Sequence, residues 1–235
     1  MTDSGNTAWL LVSAALVMLM TPGLAFFYGG MSRAKSVLNM MLMSFASIAI
    51  VSVLWVAVGH SLTYSDGGPV DLFVGGLAHV GLTDLIGGVE PMDGAGGGGH
   101  PLLADAGFQM MFAVVTVALI SGAIADRARF GAWVLFAPIW TLLVYFPVAH
   151  WVWGGGWIGR LSIGGHEVID FAGGTAVHIN AGAAALALTL VLGRRKGFGS
   201  ESMRPHNLPF VLLGSALLWF GWFGFNAGSA YAADG

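Results

Sequence analysis

The run FGAWVLFAPIWTLLVYFPVAHWVW, Phe130 to Trp153, decides the fold, because it contains no Asp, Glu, Lys or Arg from end to end. About twenty helical residues, each rising roughly 1.5 Å, cross a hydrocarbon layer of about 30 Å, so this run spans a membrane as one helix. It is about twice the length of a spanning β-strand, and only helices and closed barrels satisfy their backbone in lipid. Five further apolar runs of similar length lie on either side of it: Ala8 to Phe27, Met40 to Leu62, Ala104 to Ala125, Phe171 to Leu192 and Leu208 to Ala230. The chain therefore reads as an all-α membrane protein with six transmembrane helices.

Composition agrees. Of 235 residues, 56% are hydrophobic and 9% charged, whereas a soluble domain carries about a quarter charged residues. The mean hydropathy is +0.78. Cysteine is absent, which removes disulfides, thiolate metal sites and thiol nucleophiles. A formal charge of -3 implies no nucleic-acid partner. Asp3 precedes the first apolar run and no Lys or Arg does, so that run reads as a retained helix and not as a secretory signal.

Basic residues set the expected orientation. Arg33 and Lys35 follow the first run, Arg127 and Arg129 the third, and Arg194, Arg195, Lys196 and Arg204 the fifth, leaving Arg160 alone on the other side. By the positive-inside rule those three loops are cytoplasmic and the N-terminus is external. The external loop between the second and third runs carries Asp66, Asp71, Asp84, Glu90 and Asp93, with Asp105 at its end. It is Gly-rich from Gly96 to Gly99 and reads as irregular.

Ionisable groups at membrane depth are costly and commonly line pathways. In the fifth run Asp170, Gly174 and His178 share one helical face at four-residue spacing, which puts His178 about 12 Å inward of Asp170. His178 is either a neutral imidazole lining a pore or a histidine satisfied by a neighbouring helix. Asp170 reads most simply as an N-cap, with direct contact to a cation as the alternative. Trp153 alone is an interfacial belt residue, and Phe108, Phe112 and Phe225 alone are core. All of them fall toward the outer ends of the runs, together with Ser229. Aromatic faces there can hold a small cation, and a hydroxyl can accept its hydrogen bond.

Two motif matches carry nothing. Gly154 to Gly159 fits a dinucleotide pattern but follows a membrane helix where that pattern needs a strand. His166 and Glu167 with Asp170 lack the second histidine of a zinc-protease helix, so no metal is expected. No cofactor is implied, and no nucleophile and base pair suggests an enzyme.

An ordered set of short motifs resembles the ammonium transporter (Amt/Rh) family along the whole chain. It comprises Thr21-Pro22-Gly23-Leu24-Ala25-Phe26-Phe27-Tyr28-Gly29-Gly30 with Arg33-Ala34-Lys35, Phe108-Gln109-Met110-Met111-Phe112, Trp153-Gly154-Gly155-Gly156, Asp170-Phe171-Ala172-Gly173-Gly174, Val177-His178-Ile179-Asn180, and Trp222-Phe223-Gly224-Phe225-Asn226-Ala227-Gly228-Ser229. The resemblance implies an eleven-helix fold of two inverted halves around a hydrophobic pore, assembled as a homotrimer in the cell membrane. Residues 1–235 then form the N-terminal part of an ammonium transporter domain: one repeat plus one helix, expected to insert but not to transport alone. By the family's pattern Trp153, Phe108 and Ser229 match an outer ammonium-recognition site, and Phe112 and Phe225 a phenyl gate beneath it. His178 matches the first of two pore histidines, and Asp170 an acid of structural or electrostatic role. Ammonium and ammonia are the implied substrates, and a PII-type regulatory protein at the cytoplasmic face is an implied partner. An ammonium sensor or assembly partner without flux and an Rh-like neutral gas channel are the alternatives; the sequence carries no signalling domain to support the first, and Trp153 argues against the second.

Overall fold

The computed structural model describes residues 1–91 and 98–233. Gly96 and Gly97, half of the Gly96–Gly99 stretch expected to be irregular, lie outside the described residues. Among the described residues, six helices are long and apolar enough to cross a membrane: α1 (Ser4–Met31), α2 (Ala34–Tyr64), α3 (Leu102–Ile124), α4 (Phe130–Trp153), α5 (Gly174–Leu192) and α6 (Leu208–Gly228). Each coincides with one apolar run of the sequence. The largest differences are that α2 begins six residues before the expected Met40, that α1 extends four residues beyond the expected span at each end and that α5 begins at Gly174, not at Phe171. Short 3-10 turns at Gly68–Val70 and Val80–Leu85, with an antiparallel pairing of Val89–Glu90 to His100–Pro101, give the acidic loop more order than its composition suggests.

The α3 helix is the most enclosed of the six. Its buried side chains divide between two apolar clusters, one built on Trp55, Trp133 and Phe146 and the other on Leu24, Phe108, Phe112 and Phe225. Indole donors inside the bundle reach main-chain oxygens: Trp55 Nε1 donates to Ala106 at 2.9 Å and Trp133 Nε1 to Met43 at 2.9 Å. Buried Trp needs such a partner because an unpaired N–H in an apolar interior is costly.

Helix α6 packs along the length of α1, and glycine permits the contact. A Cβ on Gly214 would stand 2.4 Å from the Phe27 amide nitrogen, and one on Gly224 would stand 2.6 Å from Leu16 Cβ. Small residues at a crossing let two membrane helices gain dispersion contacts that lipid cannot supply at that distance.

Among the described residues, π-helical turns interrupt α2 at Trp55–Gly59, α4 at Thr141–Tyr145, and α5 over Gly174–Ile179. At the basic-loop end, Asp126 stands at φ 60 with its carboxylate buried between Arg33 Nε at 3.2 Å and the Arg195 guanidinium. Arg127 Nη1 donates to the Gly193 carbonyl at 2.7 Å. The arginines that set the expected orientation therefore also join three loops.

Candidate functional site

The site starts where the chain enters α5. Sequence spacing put Asp170 on the same helical face as His178, and the structure corrects this, because Asp170 lies four residues ahead of the helix. Gly173 takes φ +92, a left-handed turn open to glycine but strained for other residues. That turn folds the backbone over the Asp170 side chain. Its Oδ1 accepts from the Gly173 and Gly174 amides at 2.7 and 2.8 Å, and its Oδ2 from Thr175 and Ala176 at 2.7 and 3.0 Å. The four amide donors that a helix start leaves unpaired converge on one carboxylate, placed where the helix dipole favours negative charge.

Capping also fixes Trp153, the last residue of α4, whose Nε1 donates to the Asp170 carbonyl at 2.9 Å. The indole stands edge-on to Phe112, with centroids 6.0 Å apart and planes at 90°. Phe112 in turn lies 4.5 Å from Phe225 at 33°. Beyond Phe225 comes His178, 5.6 Å away, its ring nearly parallel to Trp222 at 5.5 Å and 4°. Among the described residues the His178 imidazole makes ring contacts and no hydrogen bond.

Above this column is a cavity of about 350 Å³ whose walls include Trp153, Phe112, Asp170, Ser229, Gln109 and Tyr231. Phe225 is fully buried beneath Phe112 and does not reach the cavity. Ser229 Oγ donates to the Phe225 carbonyl at 2.8 Å, which leaves its oxygen lone pairs as acceptors. The structure thus gathers Trp153, Ser229, Phe112 and Asp170 around one hollow, with Phe225 and His178 below.

Phe108 does not join them. It is 0% exposed, edge-on to Phe112 at 4.9 Å, and covered by Tyr231 at 5.6 Å. Tyr231 and Gln109, which sequence reasoning gave no role, take the wall in its place, joined by a hydrogen bond from the Gln109 amide to the Tyr231 hydroxyl. Gln109 sits inside a quoted motif and one residue from Phe108, which was the only signal pointing to it. Tyr231 carried none.

A bundle of apolar spans with a capped helix entry and an aromatic column under a small polar cavity defines a multi-pass membrane protein. A family model described as Ammonium Transporter Family matches residues 8–235. An ammonium transporter of Mycobacterium tuberculosis is 54% identical over 256 residues, covering 99% of this chain and 52% of the relative. One of Bacillus subtilis is 52% identical, covering 98% and 54%. The crystal structure of Saccharomyces cerevisiae Mep2 superposes with a TM-score of 0.85 at 35% identity, over 99% of this chain and 51% of that one. A structure described as a sensor Amt protein gives a TM-score of 0.84 at 29% identity. The chain belongs to the ammonium transporter family, and it spans about half the length of the relatives it matches.

Proposed function

We propose that this chain serves transmembrane transport of ammonium and ammonia, with recognition in the cavity lined by Trp153 and passage past Phe112 and Phe225 toward His178. The observation that carries this reading is the continuous series of ring contacts from Trp153 through Phe112 and Phe225 to His178, roofed by a cavity with hydroxyl and carbonyl oxygens. Aromatic faces offset part of the desolvation cost of a small cation, and ammonium donates hydrogen bonds where sodium cannot. Apolar surroundings below the cavity favour the neutral species, so the ion passes its proton to water on the way to His178 and ammonia crosses beside a neutral imidazole. Phe108 then contributes from behind, by holding Phe112 and Tyr231.

The remaining features of the reading rest on family membership and on the basic loops. Residues 1–235 supply the N-terminal part of an eleven-helix domain with inverted halves, assembled as a homotrimer in the cell membrane. The N-terminus is external, and a PII-type regulator meets the cytoplasmic loops. Fusion of a reporter at Gly164 and at Lys196 tests orientation: activity of a periplasmic reporter at Lys196 and not at Gly164 overturns it.

Replacement of Trp153 by Leu in a full-length transporter tests the recognition site. Weakened discrimination of ammonium from sodium, with expression preserved, is expected. Unchanged concentration dependence and selectivity would leave Trp153 as a belt residue only.

A further inference from the structure

A second hollow, of about 650 Å³, lies beside the first at the acidic-loop end, and Tyr64 and Tyr231 line both. Its other walls include His60, His79, Glu90, His100 and Asp105. His100 is 2% exposed and neither of its ring nitrogens has a protein partner. His60 is 5% exposed with Nδ1 unpaired, and Asp105 Oδ1 and the Tyr64 hydroxyl are likewise buried without a partner. A buried polar atom left unsatisfied costs about 1–3 kcal/mol, so a group of them around one hollow points to an occupant that forms hydrogen bonds.

The wall chemistry narrows that occupant. No Lys or Arg lines the hollow among the described residues, which disfavours an anion. The carboxylates of Asp105 and Glu90 supply acceptors, and burial pushes the His100 pKa down, so its imidazole is neutral and offers one acceptor nitrogen. His79 is engaged elsewhere, its Nδ1 2.5 Å from Asp84 Oδ2. No group of three or more His, Asp or Glu side chains among the described residues is placed to hold a metal ion. A small monovalent cation with several N–H donors matches what remains.

Building on the transport reading above, we propose that this second hollow is an antechamber for ammonium, where Asp105, His100 and Glu90 hold the ion before it passes Tyr231 into the cavity lined by Trp153. His100 stacks on Tyr231 at 5.3 Å and 27°, so the residue that binds the ion also packs against the partition it must cross. Partial dehydration in an acceptor-rich hollow lowers the step into the more apolar cavity, because part of the hydration shell has already been replaced by fixed oxygens and nitrogens.

Equilibrium binding of radiolabelled methylammonium to purified full-length transporter tests the proposal. The parent protein is expected to show two saturable components. Asp105→Asn and His100→Gln should each abolish one component and retain the other, and Trp153→Leu should do the reverse. Glu90→Gln, at an exposed position, should weaken the Asp105-dependent component several-fold, and it carries the test if either buried substitution loses the fold. A parent with one component, unmoved by Glu90→Gln and Asp105→Asn, overturns the antechamber. So does equal displacement of the Asp105-dependent component by sodium, since an occupant chosen for its N–H donors should resist it. Loss of one component in Asp105→Asn with both kept in Trp153→Leu would instead count against the recognition site lined by Trp153 and leave the antechamber standing.

Discussion

The Trp153 indole donates at 2.9 Å to the main-chain carbonyl of Asp170, the residue whose side chain caps α5. One residue therefore sets both the start of α5 and the tilt of the ring at the end of α4. Trp153→Phe keeps an aromatic face but removes the donor, so about 1 kcal/mol of stability should be lost while cation discrimination is largely retained. Comparing thermal unfolding in detergent with transport selectivity separates the two roles, since Trp153→Leu should damage selectivity more. Equal selectivity loss in both variants would mean that ring orientation, and not the aromatic face, is what matters.

The cap itself is exposed to substitution. Asp170→Ala removes acceptors from four amides at once, and a loss of about 2 kcal/mol or more is expected against the ~1 kcal/mol typical of a single N-cap. Asp170→Asn, which keeps one side-chain oxygen, should fall between. An unchanged melting temperature for Asp170→Ala would remove the capping account.

At the opposite end, Asp126 is 0% exposed in its side chain and faces Arg33 and Arg195. Removing one partner of a buried ion pair costs about 3–5 kcal/mol, because the remaining charges stay buried and unpaired. Asp126→Ala should approach that range, and Asp126→Asn should cost less, since Asn tolerates the left-handed backbone and keeps an acceptor. Equal losses measured by chemical unfolding would contradict the division between backbone and charge.

Acid should loosen the outer loops. The Gly67 amide, donating at 2.8 Å, and then the Arg160 guanidinium hold the Asp71 carboxyl below the usual carboxylate range. A depressed folded-state pKa contributes stability that is present above the unfolded value of about 3.9 and is lost as pH falls through the folded one. Amide-exchange protection around residues 66–76 should therefore fall once pH drops below about 4. Asp71→Asn should remove that dependence; a variant with the parent's pH profile would assign it to another group.

Much of the fold was legible because lipid demands long apolar helices, and each apolar run became one span. Local geometry was not. The spacing of Asp170 and His178 suggested a shared face only on the premise of an uninterrupted α-helix, and a left-handed Gly173 followed by π-helical backbone breaks that premise. Phe108 and Phe112 looked equivalent at one-turn spacing, but Tyr231, more than a hundred residues away in sequence, covers the first and leaves the second on the cavity wall. The Asp126 ion cluster depends on three loops meeting, which no local pattern encodes.

The π-helical start of α5 also sets a phase. A π turn holds one residue more than the α-helical turn it replaces, so deleting a single residue between Gly174 and Ile179 would let the segment revert to α geometry with no gap in the backbone. Everything beyond the deletion would then keep its present azimuth relative to the Asp170 cap, whereas reversion to α geometry without the deletion would turn it by about 100°. The imidazole of His178 meets Trp222 and Phe225 because the wide turn absorbs that extra residue, so its place in the aromatic column is a matter of helical counting as much as of side-chain chemistry.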